Sequence, residues 1–259
     1  MPTPRVLVLR APGTNCDQEA AFAFETAGAH AEFAHINRLL ERPQQLRDYQ
    51  ILCLPGGFSY GDDIAAGRIL ANQMRHHLAE TLLEFKSANK LILGICNGFQ
   101  ILVKSGVLLP DKADEPLATL TLNNSGKFED RWVNLRVAST NSVFLRGIET
   151  LYLPIAHAEG KFVARDAATL DRLEQNGQLA LRYTNDDGGI SSDNLPYPLN
   201  PNGAARNVAG VCDETGHVLG LMPHPERFID PTQHPRWTRQ RPEKGAGLAI
   251  FVNAVQYFH

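Results

Sequence analysis

The sequence predicts an α/β fold: an open, mostly parallel sheet with helices on both faces and an antiparallel β elaboration. Two observations predict it. Through the first hundred residues, short apolar runs rich in Val, Ile and Leu alternate with helical stretches. That is the pattern of strands buried on both faces between crossover helices. After about residue 115 the strand candidates grow more alternating, which suits antiparallel pairing with one half-exposed face.

The elements follow in order. Residues 5–10 (RVLVLR) read as a buried strand, followed by the turn APGTN. Residues 17–28 read as a helix stopped by Gly28. Residues 29–36 and 51–55 are the next strands, the second closed by Gly56-Gly57. Residues 64–86 carry leucines at helical spacing and are expected to form one long helical region. Residues 91–95 (LILGI) are a strand and 98–105 a helix. The antiparallel candidates are 117–122, 133–138, 151–156, 179–184 and 205–212, with a loop rich in Asn, Asp, Gly and Pro at 185–202. Residues 218–222 (VLGLM) are one more buried strand. Residues 229–246 are polar and proline-spaced, expected to lie on the surface, and 247–258 form a closing helix. There is no internal repeat, and residues 1–259 read as one domain.

Bulk properties exclude several classes. The chain has 259 residues, 43% hydrophobic and 20% charged, with net charge −3. Such a core needs no disulfide or metal staple. No basic cluster suggests nucleic acid, and no run of eighteen apolar residues suggests a membrane span. The first residues read as a strand, not a signal peptide. The cysteines Cys16, Cys53, Cys96 and Cys212 form no CxxC pair, so a reducing cytoplasm and no metal site are expected. His76 and His77 read as solvated residues of a helix.

Three segments carry chemistry. The first is Gly94-Ile95-Cys96-Asn97-Gly98, where a strand turns at once into a helix. This is a nucleophile elbow with cysteine in the serine position. The glycines let strand and helix approach closely, and the helix start favours a thiolate. The second is MPHPERF at 222–228. Pro223 and Pro225 exclude helix and hold the chain extended, so His224 and Glu226 are expected on one side. Glu226 would fix the tautomer of His224, which would take a thiol proton from Cys96. The third is LPGGFSYGD at 54–62, whose glycines let backbone N–H groups approach a ligand. It lacks the GxGxxG order of a dinucleotide loop.

With GxCxGxQ at 94–100, PGGF at 55–58 and HPE at 224–226, the chain resembles the class I, or triad, glutamine amidotransferases, whose sheet is flavodoxin-like. The resemblance implies Cys96 as nucleophile, His224 as base and acid, and Glu226 as orienter. It implies oxyanion donors at Gly57 and Asn97, and glutamine contacts from Gly56, Phe58 and Gln100. PGTNCDQE at 12–19, GGFSYGDD at 56–63, IAHAEGKF at 155–162, PNG at 201–203 and VLGLMPHPERF at 218–228 resemble one branch across nearly the whole chain. That branch comprises glutaminase subunits of phosphoribosylformylglycinamidine synthase, in purine biosynthesis. Asp63, Ala158 and Ala204 depart from its usual residues, and none belongs to the triad.

The branch implies that ammonia passes to a synthetase subunit in a complex that in many bacteria also has a small third subunit. The synthetase would use ATP and magnesium, with no cofactor in this chain. A free-standing subunit is expected, with His157 and Glu159 bordering the glutamine pocket or the partner face. Elbow and triad alone also allow a cysteine hydrolase such as a γ-glutamyl hydrolase. A non-enzymatic scaffold is disfavoured by the intact Cys96, His224 and Glu226.

Overall fold

The computed structural model describes residues 2–110, 115–191 and 193–259. In chain order the strands and helices are β1 (Arg5–Arg10), α1 (Asp17–Thr26), β2 (His30–His35), α2 (Ile36–Glu41), β3 (Ile51–Leu54), α3 (Arg68–His77), α4 (Ala79–Ser87), β4 (Leu91–Ile95) and α5 (Asn97–Lys104). The second half adds β5 (Ala118–Thr121), β6 (Glu129–Val137), β7 (Thr150–His157), β8 (Lys161–Ala164), α6 (Ala167–Gln175), β9 (Leu181–Tyr183), β10 (Val208–Cys212), β11 (Val218–Leu221), α7 (Trp237–Gln240) and α8 (Leu248–Gln256).

The main sheet has the order β2-β1-β3-β4-β11-β10-β9-β6-β7. Its first five strands pair in parallel. From β11 onward every pairing is antiparallel. The predicted antiparallel section therefore continues the same sheet, apart from the separate β5–β8 pair. β3 and β4 are buried at every residue, as their unbroken apolar runs require. The chain steps from β1 to β2 in one direction and from β3 to β4 in the other. Right-handed crossovers then put the intervening helices on opposite faces. One layer holds α1 and α8, joined by the edge-to-face pair Phe24–Phe251. The other holds α5, laid against β3, β4 and β11, with α3 beside it.

Close packing under α5 depends on glycine. A Cβ on Gly98 would lie 1.9 Å from the Leu54 carbonyl oxygen, and one on Gly94 would lie 2.5 Å from Leu102 Cδ1.

Two expectations need correction. Residues 64–86 are not one helix: α3 starts only after Gly67, whose φ is +71°, and Leu78 separates α3 from α4. Gly67 is pressed against the first turn of α5, where a Cβ would lie 3.2 Å from Ile101 N. That contact folds the segment before α3 over the end of the sheet. Residues 229–246 are not wholly superficial. Ile229 and His234 are buried, and His234 packs with Trp132, Tyr152 and Phe228 at ring separations of 5.1–5.6 Å. Four aromatic rings outweigh the polarity of the intervening residues. His76 and His77 are exposed, as their placement on a helix suggested.

Candidate active site

Four neighbouring parallel strands deliver residues to one place beyond their C-terminal ends, the edge where open α/β sheets build sites. Cys16 follows β1, Gly56 follows β3, Cys96 follows β4 and His224 follows β11. Gly56 marks the meeting point. A Cβ there would stand 2.8 Å from His224 Cε1, 3.1 Å from Cys16 Sγ and 3.5 Å from Cys96 Cβ.

Cys96 caps α5 with φ +52° and ψ −104°, the strained backbone of an elbow. For a non-glycine residue this costs about 1–3 kcal/mol and persists only where packing enforces it. Its N–H donates to Leu221 O at 2.8 Å, and Gln100 N donates back to Cys96 O. The thiol is buried and lies 3.6 Å from the Ala156 carbonyl oxygen.

His224 and Glu226 are both buried, with Nδ1 2.6 Å from Oε1. The backbone does not reach this arrangement in the expected way. Pro225 is the first residue of a one-turn 3-10 helix, Pro225–Arg227, so the stretch is not extended. Proline is well suited to a first helical position. His224 is the residue before that turn, and the turn swings Glu226 back beneath the ring. The His224 N–H is anchored to Pro154 O at 2.8 Å. Burial alone would lower the imidazole pKa. The Glu226 carboxylate and the flanking sulfurs of Cys96 and Cys16 outweigh it and hold the pKa well above its ordinary value. An imidazole made more basic is a better acceptor for a thiol proton. Among the described residues, Glu226 Oε2 has no hydrogen-bond partner.

Cys16, His224 and Glu226 also place a sulfur, a nitrogen and an oxygen within 4.8 Å of one another. Two ligands of one tetrahedral ion stand about 3.3 Å apart at ordinary bond lengths. The 2.6 Å contact is therefore a hydrogen bond within a proton-sharing pair.

The remaining predicted residues surround the elbow. Gly57 has φ +142° and is clamped on the turn before α1, where a Cβ would lie 2.7 Å from Asn15 N. Among the described residues, neither the Gly57 nor the Asn97 backbone N–H donates to another protein group. The Asn97 side chain accepts from Ser59 N and donates to Asp62 Oδ1 and Gln100 Oε1. Gln100 Nε2 donates to Glu159 O at 2.6 Å. Gln100 is thus occupied within the protein, tying the 157–160 turn to α5. The Phe58 ring is half exposed and lies 6.4 Å from Phe128. Glu159 receives the Ala66 N–H and faces Lys104 of α5. His157 is buried beneath the turn.

Sequence reasoning missed three participants. Cys16 is buried beside His224 and receives a hydrogen bond from Arg227 Nη2 at 3.2 Å. Its only signal was its place in PGTNCDQE. The Pro154 and Ala156 carbonyls left no side-chain signal at all. They reach the site because the antiparallel half of the sheet curls back and lays β7 along it. The other cysteines are unsuited to attack: burial pushes the Cys53 thiol well up and that of Cys212 to about 12.

Comparison with known proteins gives the family. Residues 3–258 match the family model of the CobB/CobQ-like glutamine amidotransferase domain. Phosphoribosylformylglycinamidine synthase subunit PurQ of Dehalococcoides mccartyi is 48% identical over 98% of this chain and 97% of its own length. The same subunit of Treponema denticola is 43% identical over 87% of this chain and 88% of its own. A chain in the structure of PurLQS from Thermotoga maritima superposes with TM-score 0.75 at 31% identity, covering both chains fully. A glutamine amidotransferase from Thermotoga maritima, at 17% identity and TM-score 0.56, shares the fold. The chain belongs to the glutamine amidotransferase family, in the branch of the PurQ subunits of phosphoribosylformylglycinamidine synthase.

Proposed function

We propose that this chain is the glutaminase subunit of a phosphoribosylformylglycinamidine synthase and that Cys96, His224 and Glu226 are its catalytic triad. One observation carries the assignment of residues: a cysteine on a strained elbow meets a buried histidine–carboxylate pair with a 2.6 Å bond. His224 takes the thiol proton, and Cys96 attacks the side-chain amide carbon of glutamine. The oxyanion accepts hydrogen bonds from the Gly57 and Asn97 amides, each worth about 3 kcal/mol of barrier. His224 then protonates the nitrogen, which leaves as ammonia and leaves a glutamyl thioester on Cys96. Water, deprotonated by His224, hydrolyses the thioester to glutamate. Glu226 fixes the tautomer and stabilises the imidazolium throughout.

Glutamine lies against the Gly56–Gly57 backbone and Phe58. Gln100 contributes by fixing Asn97 and the Glu159 backbone. Ammonia passes to a synthetase subunit, PurL, in an assembly with the small subunit PurS. That partner converts formylglycinamide ribonucleotide to its amidine with ATP and magnesium, and the chemistry in this chain needs no cofactor. The cytoplasm is the compartment. Among the described residues, no helix is long and apolar enough to cross a membrane.

A diazoketone analogue of glutamine tests the nucleophile. The expected result is a covalent adduct mapped to the Cys96 peptide, prevented by excess glutamine. An adduct on Cys16, or none, would contradict the assignment.

A further inference from the structure

We propose that His157 accepts a hydrogen bond from the amide nitrogen of glutamine, so that it helps distinguish a carboxamide from groups without an N–H. The inference rests on the glutaminase reading above.

His157 is 3% exposed, and its Nε2 is buried with no hydrogen-bond partner among the described residues. Its tautomer is set by Asn123. The Asn123 Nδ2 donates to the carbonyls of Lys127 and His157, which turns Oδ1 toward the Gly160 N–H at 3.0 Å and His157 Nδ1 at 3.2 Å. Nδ1 therefore carries the hydrogen and donates to Oδ1. Nε2 is left as a bare acceptor. Burial, reinforced by the charge of His224, lowers the pKa to about 3, so the ring is neutral at physiological pH and can accept a hydrogen but not protonate a leaving group. A buried acceptor without a donor is costly, which calls for a ligand or a functional reason.

Its position suggests the donor. The tetrahedral carbon on Cys96 bears an oxygen, a nitrogen and the side-chain carbon of glutamine. The oxygen is drawn to the N–H groups of Gly57 and Asn97. The nitrogen needs acceptors, and β7 supplies them. The Ala156 carbonyl is 3.6 Å from Cys96 Sγ, and His157 is the next residue. The ring is held tightly, since a Cβ on Gly160 would lie 2.1 Å from its Cε1. Close enough to His224 to feel its charge, His157 Nε2 is a buried acceptor in want of a donor. The amide and then ammonia bring two and three N–H donors to it. A glutamate carboxylate brings none and meets lone pairs instead, which favours product release.

The test compares His157→Leu and His157→Gln in the assembly with the synthetase. Glutamate formation is measured from glutamine and from glutamate γ-methyl ester, whose leaving oxygen has no N–H. His157→Leu should lower kcat/KM for glutamine about tenfold to a hundredfold, the loss of one buried hydrogen bond. Ester turnover should stay within about twofold. His157→Gln keeps an acceptor and should recover most of the amide activity. Equal losses on both substrates, or unchanged amide turnover in folded His157→Leu, would overturn the proposal. If His157→Leu does not fold, His157→Phe supplies the acceptor-free reference, and a folded His157→Gln that hydrolyses glutamine no faster than His157→Phe, relative to ester, overturns it equally. A wild-type assembly that cannot hydrolyse glutamine would instead overturn the proposed function.

Discussion

Gly56→Ala tests the geometry of the site with a single methyl group. Its Cβ would stand 2.8 Å from His224 Cε1 and 3.1 Å from Cys16 Sγ, where ordinary contact begins at 3.4 Å. Relief requires the imidazole to retreat by about 0.6 Å, because Cys16 is itself buried and held by Arg227. A misplacement of about 1 Å in a reacting group costs about a hundredfold. The expected loss in kcat/KM for glutamine is therefore about ten- to a hundredfold, or about 1.4–2.7 kcal/mol. The measurement is steady-state glutamate release by the assembly, with thermal unfolding of the same preparation. Tm should fall only slightly, because no backbone atom is struck. Wild-type turnover in a folded Gly56→Ala protein would refute the convergence of the three strand ends on this glycine.

Other perturbations separate fold from chemistry. Gly98→Ala should destabilise the protein by several degrees in Tm, since its Cβ would meet backbone at 1.9 Å, and thermal unfolding reads this directly. Glu226→Gln removes the main charge that raises the His224 pKa and should lower kcat by about a hundredfold or more. A raised histidine pKa contributes stability that is full below the unfolded value of 6.5 and is lost as pH rises through the folded value. The Tm advantage of wild type over Glu226→Gln should therefore be larger at pH 6 than at strongly alkaline pH. His157 gives the opposite sign. Its pKa of about 3 means the unfolded chain binds the extra proton, so stability falls as pH drops from 6.5 toward 3. His157→Gln should flatten that slope in Tm measured against pH.

Much of this site was legible because its signals are local. LILGICNG dictates a strand, a turn too tight for side chains at 94 and 98, and a helix start, whatever surrounds it. His224 and Glu226 were paired correctly for a reason that proved wrong. The prolines do not hold an extended chain: Pro225 starts a 3-10 turn, a choice made by the contact of His224 N with Pro154 O. That contact joins residues seventy positions apart and has no periodicity to read. The same holds for Cys16 and for the β7 carbonyls, placed by the curl of the sheet. The helix expected over 64–86 failed because Gly67 answers to the first turn of α5 and not to its own neighbours. His234 likewise looked superficial beside prolines and arginines, yet it is buried by rings from β6, β7 and Phe228.

The most direct test of the central claim compares nitrogen sources in the Cys96→Ala assembly. Formylglycinamidine ribonucleotide synthesis is measured with glutamine and, separately, with ammonium salt. The account predicts that glutamine-dependent synthesis is abolished and ammonia-dependent synthesis matches wild type. Glutamine-dependent synthesis persisting in Cys96→Ala would contradict it.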